Sequence, residues 1–265
     1  MNIVAIIPAR MGSSRFPGKP MAKMMGMPMI GHVYLRTAMG QSLSDCWVAT
    51  CDGEIKTYIE SIGGKAVMTA DTHERCSDRC AEAMIKIEEQ TGKKIDMVVM
   101  VQGDEPLVTP EMIDASVAAL KGASGVGVAC LMADIEDEES FNDHNEIKVV
   151  VDKNDRALYM SREPIPTTSR GATAATSRRL KQVCIIPFTR EYLLRFNDLT
   201  PTSLEIAESI DLNRCLEHGD PVQMAHIEGA MYSVDTSDDL RAAEEIMSAD
   251  PLIKSYLDAN KTAAA

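Results

Sequence analysis

No Asp or Glu occurs before Asp45, although the 265-residue chain carries 40 acidic side chains against 27 Lys and Arg, for a net charge of −13. Nothing in that stretch repels an anion, and Arg10, Arg15 and Lys19 all fall within it. Aromatics are scarce, at 4%, while methionines number 18, which predicts an aliphatic, adaptable core. The shortage of positive charge excludes a nucleic-acid-binding surface, which would be basic, but not a small anion in a local basic pocket. No uncharged apolar run approaches the roughly 18 residues of a membrane span. The chain starts without a basic segment ahead of an apolar one and runs into a loop containing Pro and Gly, so no secretory leader is expected. Seven scattered cysteines, an odd number, argue for reduced thiols and a cytoplasmic location.

What is present has an α/β rhythm. Short apolar runs at 3–7, 46–50, 66–68, 97–102 and 126–132 predict strands, and helical patterns at 29–39, 54–62, 78–89 and 110–120 lie between them. Such alternation means βαβ units and a mixed, mostly parallel Rossmann-like sheet flanked by helices. After residue 140 the rhythm breaks. A hairpin is expected at 147–151 and 157–160, a loop or arm at 163–179, strands at 183–187, 222–226 and 232–234, and helices at 190–196, 204–218 and 237–248. The last helix has Thr236 or Ser237 as its cap. There is no internal repeat. The expected organisation is one domain over 1–250, with a nucleotide-binding part at about 1–135, a smaller β and arm part at 140–235, and a tail at 251–265 that ends in three alanines.

Two features carry chemistry. The first apolar strand leads into Arg10, Gly12, Arg15, Gly18 and Lys19, which supply the cations, glycines and backbone N–H groups that a polyphosphate wants. It is not a Walker A loop: five residues separate Gly12 from Gly18, and Pro20 follows Lys19 where Ser or Thr belongs. Asp104 and Asp235 each follow an apolar run. Ligands bind beyond the carboxyl ends of parallel strands, and carboxylates there suit Mg²⁺, which takes one or two of them plus phosphate oxygens. The competing reading makes each Asp a cap for the element after it. His73, Cys76 and Cys80 have a spacing that suggests zinc, but without a fourth ligand they read as a loop histidine and two helix cysteines. Glu205, Glu208 and Asp211, three apart, would share one helical face, either solvated or touching an acceptor.

At this point the chain resembles the CMP-Kdo synthetases, the 3-deoxy-manno-octulosonate cytidylyltransferases, within the glycosyltransferase-A-like nucleotidyltransferases. The matching segments include Ile7-Pro-Ala-Arg10, Ser14-Arg15, Pro17-Gly-Lys-Pro20, Asp78-Arg79, Val101-Gln-Gly-Asp-Glu-Pro106, Lys148-Val-Val150, Ser161-Arg162, Ser203-Leu-Glu205 and Val234-Asp-Thr236. They follow the family's order along almost the whole chain. The resemblance implies CMP transfer from CTP to a small acidic, Kdo-like acceptor with release of pyrophosphate, and a homodimer. It implies CTP contacts from Pro8, Ala9, Arg10, Gly12, Ser13, Arg15, Lys19, Ser77, Arg79 and Gln102, with Arg10 and Lys19 catalytic. Asp104 and Asp235 would hold catalytic Mg²⁺. Gln102, Arg162, Lys181, Glu205, Glu208 and Asp211 would face the acceptor.

The chain departs from the pattern in three places, one of them Asp211-Leu-Asn-Arg214 where the family has Glu-Gln-Leu-Arg. The family's His-x-Ser-Gly-Thr-Asp-Arg is here His73-Glu-Arg-Cys-Ser-Asp-Arg79, and a strand that bears His and Tyr in the family is here Lys181-Gln-Val-Cys-Ile-Ile-Pro187. Two added cations, Arg75 and Lys181, and lost hydroxyl and imidazole groups suggest an altered acceptor, such as a phosphonate, a phosphate or a variant sugar acid; the competing reading is neutral drift within an enzyme that still takes Kdo. A different base, UTP or dTTP, and a nucleotide-binding protein without catalysis are the remaining alternatives.

Overall fold

The computed structural model describes residues 1–12, 16–167, 178–229 and 232–263. The chain divides into two units, one of residues 1–114 and 230–265 and one of residues 115–229.

The first unit is built on four parallel strands in the order β5-β4-β1-β6: β1 (Ile3–Ala9), β4 (Asp45–Thr50), β5 (Ala66–Met68) and β6 (Met97–Val101). Between β1 and β4 lie a small hairpin, β2 (Lys23–Met24) and β3 (Met27–Pro28), and helix α1 (Met29–Thr37). Helices α2 (Gly53–Ser61) and α3 (Cys76–Thr91) follow β4 and β5. Every residue of β1 and β6 is buried, as expected for strands covered on both faces. The β1 ladder with β6 ends at Ile6, whereas that with β4 continues to Ala9. A strand with a single neighbour tolerates Pro8, which lacks an N–H, so β1 extends two residues past the expected end. Helix α4 (Pro110–Gly122) crosses the boundary between the units.

In the second unit β7 (Val128–Asp134) is followed by α5 (Glu138–Asn142), the hairpin β8 (Lys148–Val151) and β9 (Ala157–Ser161), β10 (Leu180–Val183) and β11 (Ile185–Thr189). Helices α6 (Arg190–Asp198), α7 (Ser203–Glu208) and α8 (Leu212–Glu217) and strand β12 (Val222–His226) complete it. β7 pairs antiparallel with β10 and β11 and parallel with β12. The single strand expected at 183–187 is two strands broken at Cys184. Lys181 and Gln182 are only partly buried, so the first of them makes no continuous apolar run. The helix expected at 204–218 is also two, because Ser209 takes a left-handed φ of 54° and ends α7. Glu205, Glu208 and Asp211 therefore do not share one helical face.

The chain then returns to the first unit with α9 (Ser237–Ser248) and α10 (Leu252–Ala263). Residues 252–263 are a helix rather than a tail: Ile253 and Tyr256 join Met24, Met29, Leu107, Val234 and Met247 in one buried cluster. No strand forms at 232–234. Val234 instead donates a single backbone bond to the Asp104 carbonyl, at 2.9 Å. Among the described residues no helix is long and apolar enough to cross a membrane.

Candidate active site

At the carboxyl ends of β1 and β6 the first unit opens a cleft of about 240 Å³, lined among others by Pro8, Ala9, Arg10, Gly12, Lys19, Gln102, Asp104 and Asp235. The loop after β1 is closed by Gly18, whose amide donates to the Met11 carbonyl at 3.0 Å; the Met11 amide in turn donates to Asp52 at 2.8 Å. Gly18 has φ +75°, which glycine adopts without strain. It leads into a 3₁₀ turn, Lys19–Met21, that starts Lys19 toward the cleft. Gly103 is required on the facing side, because a Cβ there would stand 2.8 Å from the Pro8 carbonyl oxygen.

Lys19 is the centre of the charged corner. Its Nζ donates to Asp104 Oδ2 at 2.8 Å, to the Val234 carbonyl at 2.7 Å and to Asp235 Oδ1 at 3.3 Å. The backbone bond from Val234 to Asp104 holds the two carboxylates side by side. The capping alternative for Asp235 is answered directly. Thr236 is the cap of α9: its hydroxyl accepts from the Asp239 amide, and Asp239 accepts from the Thr236 amide. Asp235 is thus directed at Lys19 rather than at the helix.

Asp104 Oδ1 is buried and has no hydrogen-bond partner among the described residues. A buried carboxylate oxygen left in this state is costly unless something else meets it. Two hard oxygen donors beside a cationic cleft fit Mg²⁺, which leaves its other positions to phosphate oxygens and water. Among the described residues no three His, Cys, Asp or Glu side chains converge to hold a metal. The zinc spacing accordingly does not assemble: the His73 ring meets Glu82, and Cys80 is fully buried with its thiol pKa pushed far up by burial.

A smaller cleft of about 80 Å³ adjoins Arg10 and is lined by Pro8, Ala9, His73, Glu74, Arg75, Cys76 and Arg79 as well. Arg79 is 3% exposed; Nη1 donates to Thr69 and to the Ala70 carbonyl, while Nη2 is buried without a partner among the described residues. Ser77 is buried on α3 and lines neither cleft. Ser13 and Arg15 lie outside the described residues. Cys76, Pro20 and Gly103 complete the walls without having been expected there. Gly103 and Pro20 belong to the matching segments, and Cys76 stands in the departing segment His73–Arg79, so all three had a signal in the sequence.

Of the residues expected at the acceptor, Gln102 lines the larger cleft of the first unit, whereas the others lie in the second unit and are largely committed to one another. Glu205 is fully buried and receives Arg214 through two bonds, of 2.7 and 2.6 Å, so it is an internal counter-ion rather than part of an open surface. Glu208 accepts from Tyr159, Ser161 and the Arg162 amide, each at 2.8 Å. Burial would raise its pKa, but these bonds outweigh burial and lower it. The Arg162 side chain donates to the carbonyls of Glu208 and His144 at 2.7 and 2.8 Å. Lys181 pairs with Glu146 at 2.9 Å, so its charge is already offset. Asp211 stands at the start of α8. Of the two added cations, then, Lys181 belongs to an ion pair, while Arg75 borders the smaller cleft of the first unit.

The family model described as Cytidylyltransferase matches residues 4–227. The 3-deoxy-manno-octulosonate cytidylyltransferase of Trichlorobacter lovleyi is 39% identical over 255 residues, 93% of this chain and 99% of that protein. The 8-amino-3,8-dideoxy-manno-octulosonate cytidylyltransferase of Shewanella pealeana is 39% identical over 94% of this chain and 100% of its own length. A solved structure of CMP:2-keto-3-deoxy-manno-octonic acid synthetase complexed with CTP superposes with a TM-score of 0.85 at 34% identity, covering 94% of this chain and 99% of that one. The chain belongs to the cytidylyltransferase family and is a CTP-dependent nucleotidyltransferase.

Proposed function

We propose that this enzyme transfers CMP from CTP to a 3-deoxy-octulosonate-type sugar acid and releases pyrophosphate. The observation that carries the reading is Lys19 set between Asp104 and Asp235, with a buried oxygen of Asp104 unmatched among the described residues, at the end of a cleft lined by Arg10 and Gly12. The names of the relatives support the acceptor class. In this reading Arg10 and Lys19 bind the phosphates, Pro8, Ala9 and Gly12 give backbone contacts, and Arg79 and Gln102 lie toward the base and the acceptor. An acceptor hydroxyl oxygen attacks the α-phosphorus of CTP. The bond to the bridging oxygen breaks, pyrophosphate departs, and the hydroxyl proton passes to solvent. Negative charge grows on the α-phosphate and the leaving group, and cations fixed beforehand stabilise that charge most.

Asp104 and Asp235 would hold Mg²⁺, which supplies further neutralisation of phosphate charge when bound. We place the enzyme in the cytoplasm as a homodimer; the resemblance to the CMP-Kdo synthetases supports the dimer, and sedimentation velocity tests it. The central test is pyrophosphate release with CTP plus 3-deoxy-manno-octulosonate, its 8-amino-8-deoxy analogue or small phosphonates, with UTP and dTTP replacing CTP in parallel. Turnover with an octulosonate and CTP is expected. Turnover with phosphonates alone would overturn the acceptor class.

A further inference from the structure

The segment from Thr69 to Arg75 runs between β5 and α3 and borders the smaller cleft, and it has no ladder of its own to hold it. Glu82 on α3 fastens it, beside Arg79, which donates to the Thr69 hydroxyl and the Ala70 carbonyl. Glu82 Oε2 accepts the Ala70 amide at 2.9 Å and meets His73 Nε2, while Oε1 takes Lys86 at 2.7 Å. Lys86 also donates to the Met68 carbonyl at 2.9 Å, so the anchor is itself braced against the end of β5. Burial alone would raise the Glu82 pKa, but the bonds from Lys86, Ala70 and His73 outweigh it and pull it down to about 2. The fastened segment then reaches Arg10: the His73 carbonyl accepts from Arg10 Nη1 at 3.4 Å. Arg10 is exposed and lines both clefts beyond the end of β1, and the His73 carbonyl anchors its guanidinium.

We infer that Glu82 is a positioning residue for the nucleotide: acting through Ala70 and His73, it fixes the carbonyl that aims Arg10 and the wall that Arg75 and Cys76 form. Glu82 itself lines neither cleft. The physical reason is preorganisation. A long, exposed arginine loses rotamer freedom when it binds phosphate, and a carbonyl that already orients it removes part of that cost. A displacement of a positioning group by about 1 Å can cost up to about a hundredfold in rate, so an anchor without substrate contact can still govern the site. The inference rests on the cleft being the CTP site.

A double-substitution cycle on the full chain tests it. CTP affinity is measured by calorimetry and kcat/KM by pyrophosphate release, for the unsubstituted enzyme, Glu82→Ala, Arg10→Ala and the pair. Glu82→Ala is expected to weaken CTP binding and lower kcat/KM by about tenfold, mostly through KM. In the Arg10→Ala background the same substitution should change either quantity by less than about twofold, since both act through one contact. Glu82→Gln retains an acceptor for the Ala70 amide and should recover most of the loss; it also serves if Glu82→Ala fails to fold. Equal losses in both backgrounds, or no loss from either Glu82 variant, would overturn the inference. Absence of CTP binding by the unsubstituted chain would instead strike at the assignment of the cleft.

Discussion

The two units treat buried charge in opposite ways. In the second, Arg214 and Glu205 are 5% and 0% exposed and satisfy each other through two bonds, and Arg214 also donates to the Phe196 carbonyl and stacks 4.6 Å from the Phe196 ring. Glu208 and Arg162 are similarly spent on neighbouring hydroxyls and carbonyls. In the first, Lys19 is shared by two carboxylates, and among the described residues Asp104 keeps a buried oxygen unmet and Arg79 a buried nitrogen. A saturated pair fixes a fold. A set of opposed charges left unsaturated beside a cavity is the arrangement that a charged ligand completes.

The largest effect should come from removing the unsaturated set. Asp235→Asn is expected to lower turnover by at least about a hundredfold, because charge stabilisation at phosphoryl centres is worth that much per group. CTP affinity, measured directly, should stay within a few-fold. Unchanged turnover would remove Asp235 from the metal-binding role and make the corner structural, like that of the second unit.

The converse substitution sharpens the contrast. Glu205→Ala leaves the Arg214 guanidinium buried without its counter-ion, and breaking one side of such a pair costs about 3–5 kcal/mol. Chemical denaturation should therefore show a large loss of stability. The KM for acceptor should remain near that of the unsubstituted enzyme in the fraction that stays folded. A selective rise in acceptor KM with stability intact would return Glu205 to the acceptor site.

A smaller, directional effect separates Arg75 from Lys181. Arg75→Ser should change the KM for CTP by a few-fold and leave that for acceptor unaltered, because Arg75 borders the cleft that Pro8, Ala9 and Arg10 also line. Steady-state kinetics with each substrate varied in turn decides this. A change confined to acceptor KM would revive the acceptor reading of that substitution.

These contrasts also mark what the residues alone reveal. The first four strands and their helices were legible because buried parallel strands are continuous apolar runs: Met97–Val101 is apolar at every position. Lys19, Asp104 and Asp235 were legible because cations and acids at strand ends have few structural uses. The second unit was less so. β10 begins Leu180-Lys-Gln, partly polar, and the break at Ser209 depends on one left-handed residue that is not glycine. Nor can spacing tell a paired carboxylate from an open one. Glu205 and Glu208 read alike in sequence, and only the position of Arg214 shows that Glu205 is enclosed. Helix α10 was missed because its apolar positions lie among lysine, serine and asparagine, and its docking depends on a histidine more than two hundred residues earlier.

That docking gives the smallest expected effect and a way to resolve the first unit further. His32 is fully buried, with Nε2 at 2.7 Å from the Met24 carbonyl and Nδ1 at 2.9 Å from the Tyr256 hydroxyl. A carbonyl only accepts, so Nε2 carries the proton and Nδ1 accepts from Tyr256 in the neutral ring. Burial, the largest cause, lowers the His32 pKa below its ordinary 6.5; nearby Arg36 lowers it further, while the Met24 carbonyl and Glu244 partly oppose this. The unfolded chain therefore takes up the proton first as pH falls. The stability from burying the neutral ring is complete above about pH 6.5 and declines below it, by about 1.4 kcal/mol for each pH unit in which only the unfolded chain is protonated. Hydrogen exchange at pH 7 and pH 5.5 should show α10 opening more readily in acid, with the amides of β7 little changed. His32→Gln should flatten the α10 response even if it lowers stability at both pH values. An acid response of the same size in that variant would assign it to other groups, and would separate the docking of α10 from the charge state of His32.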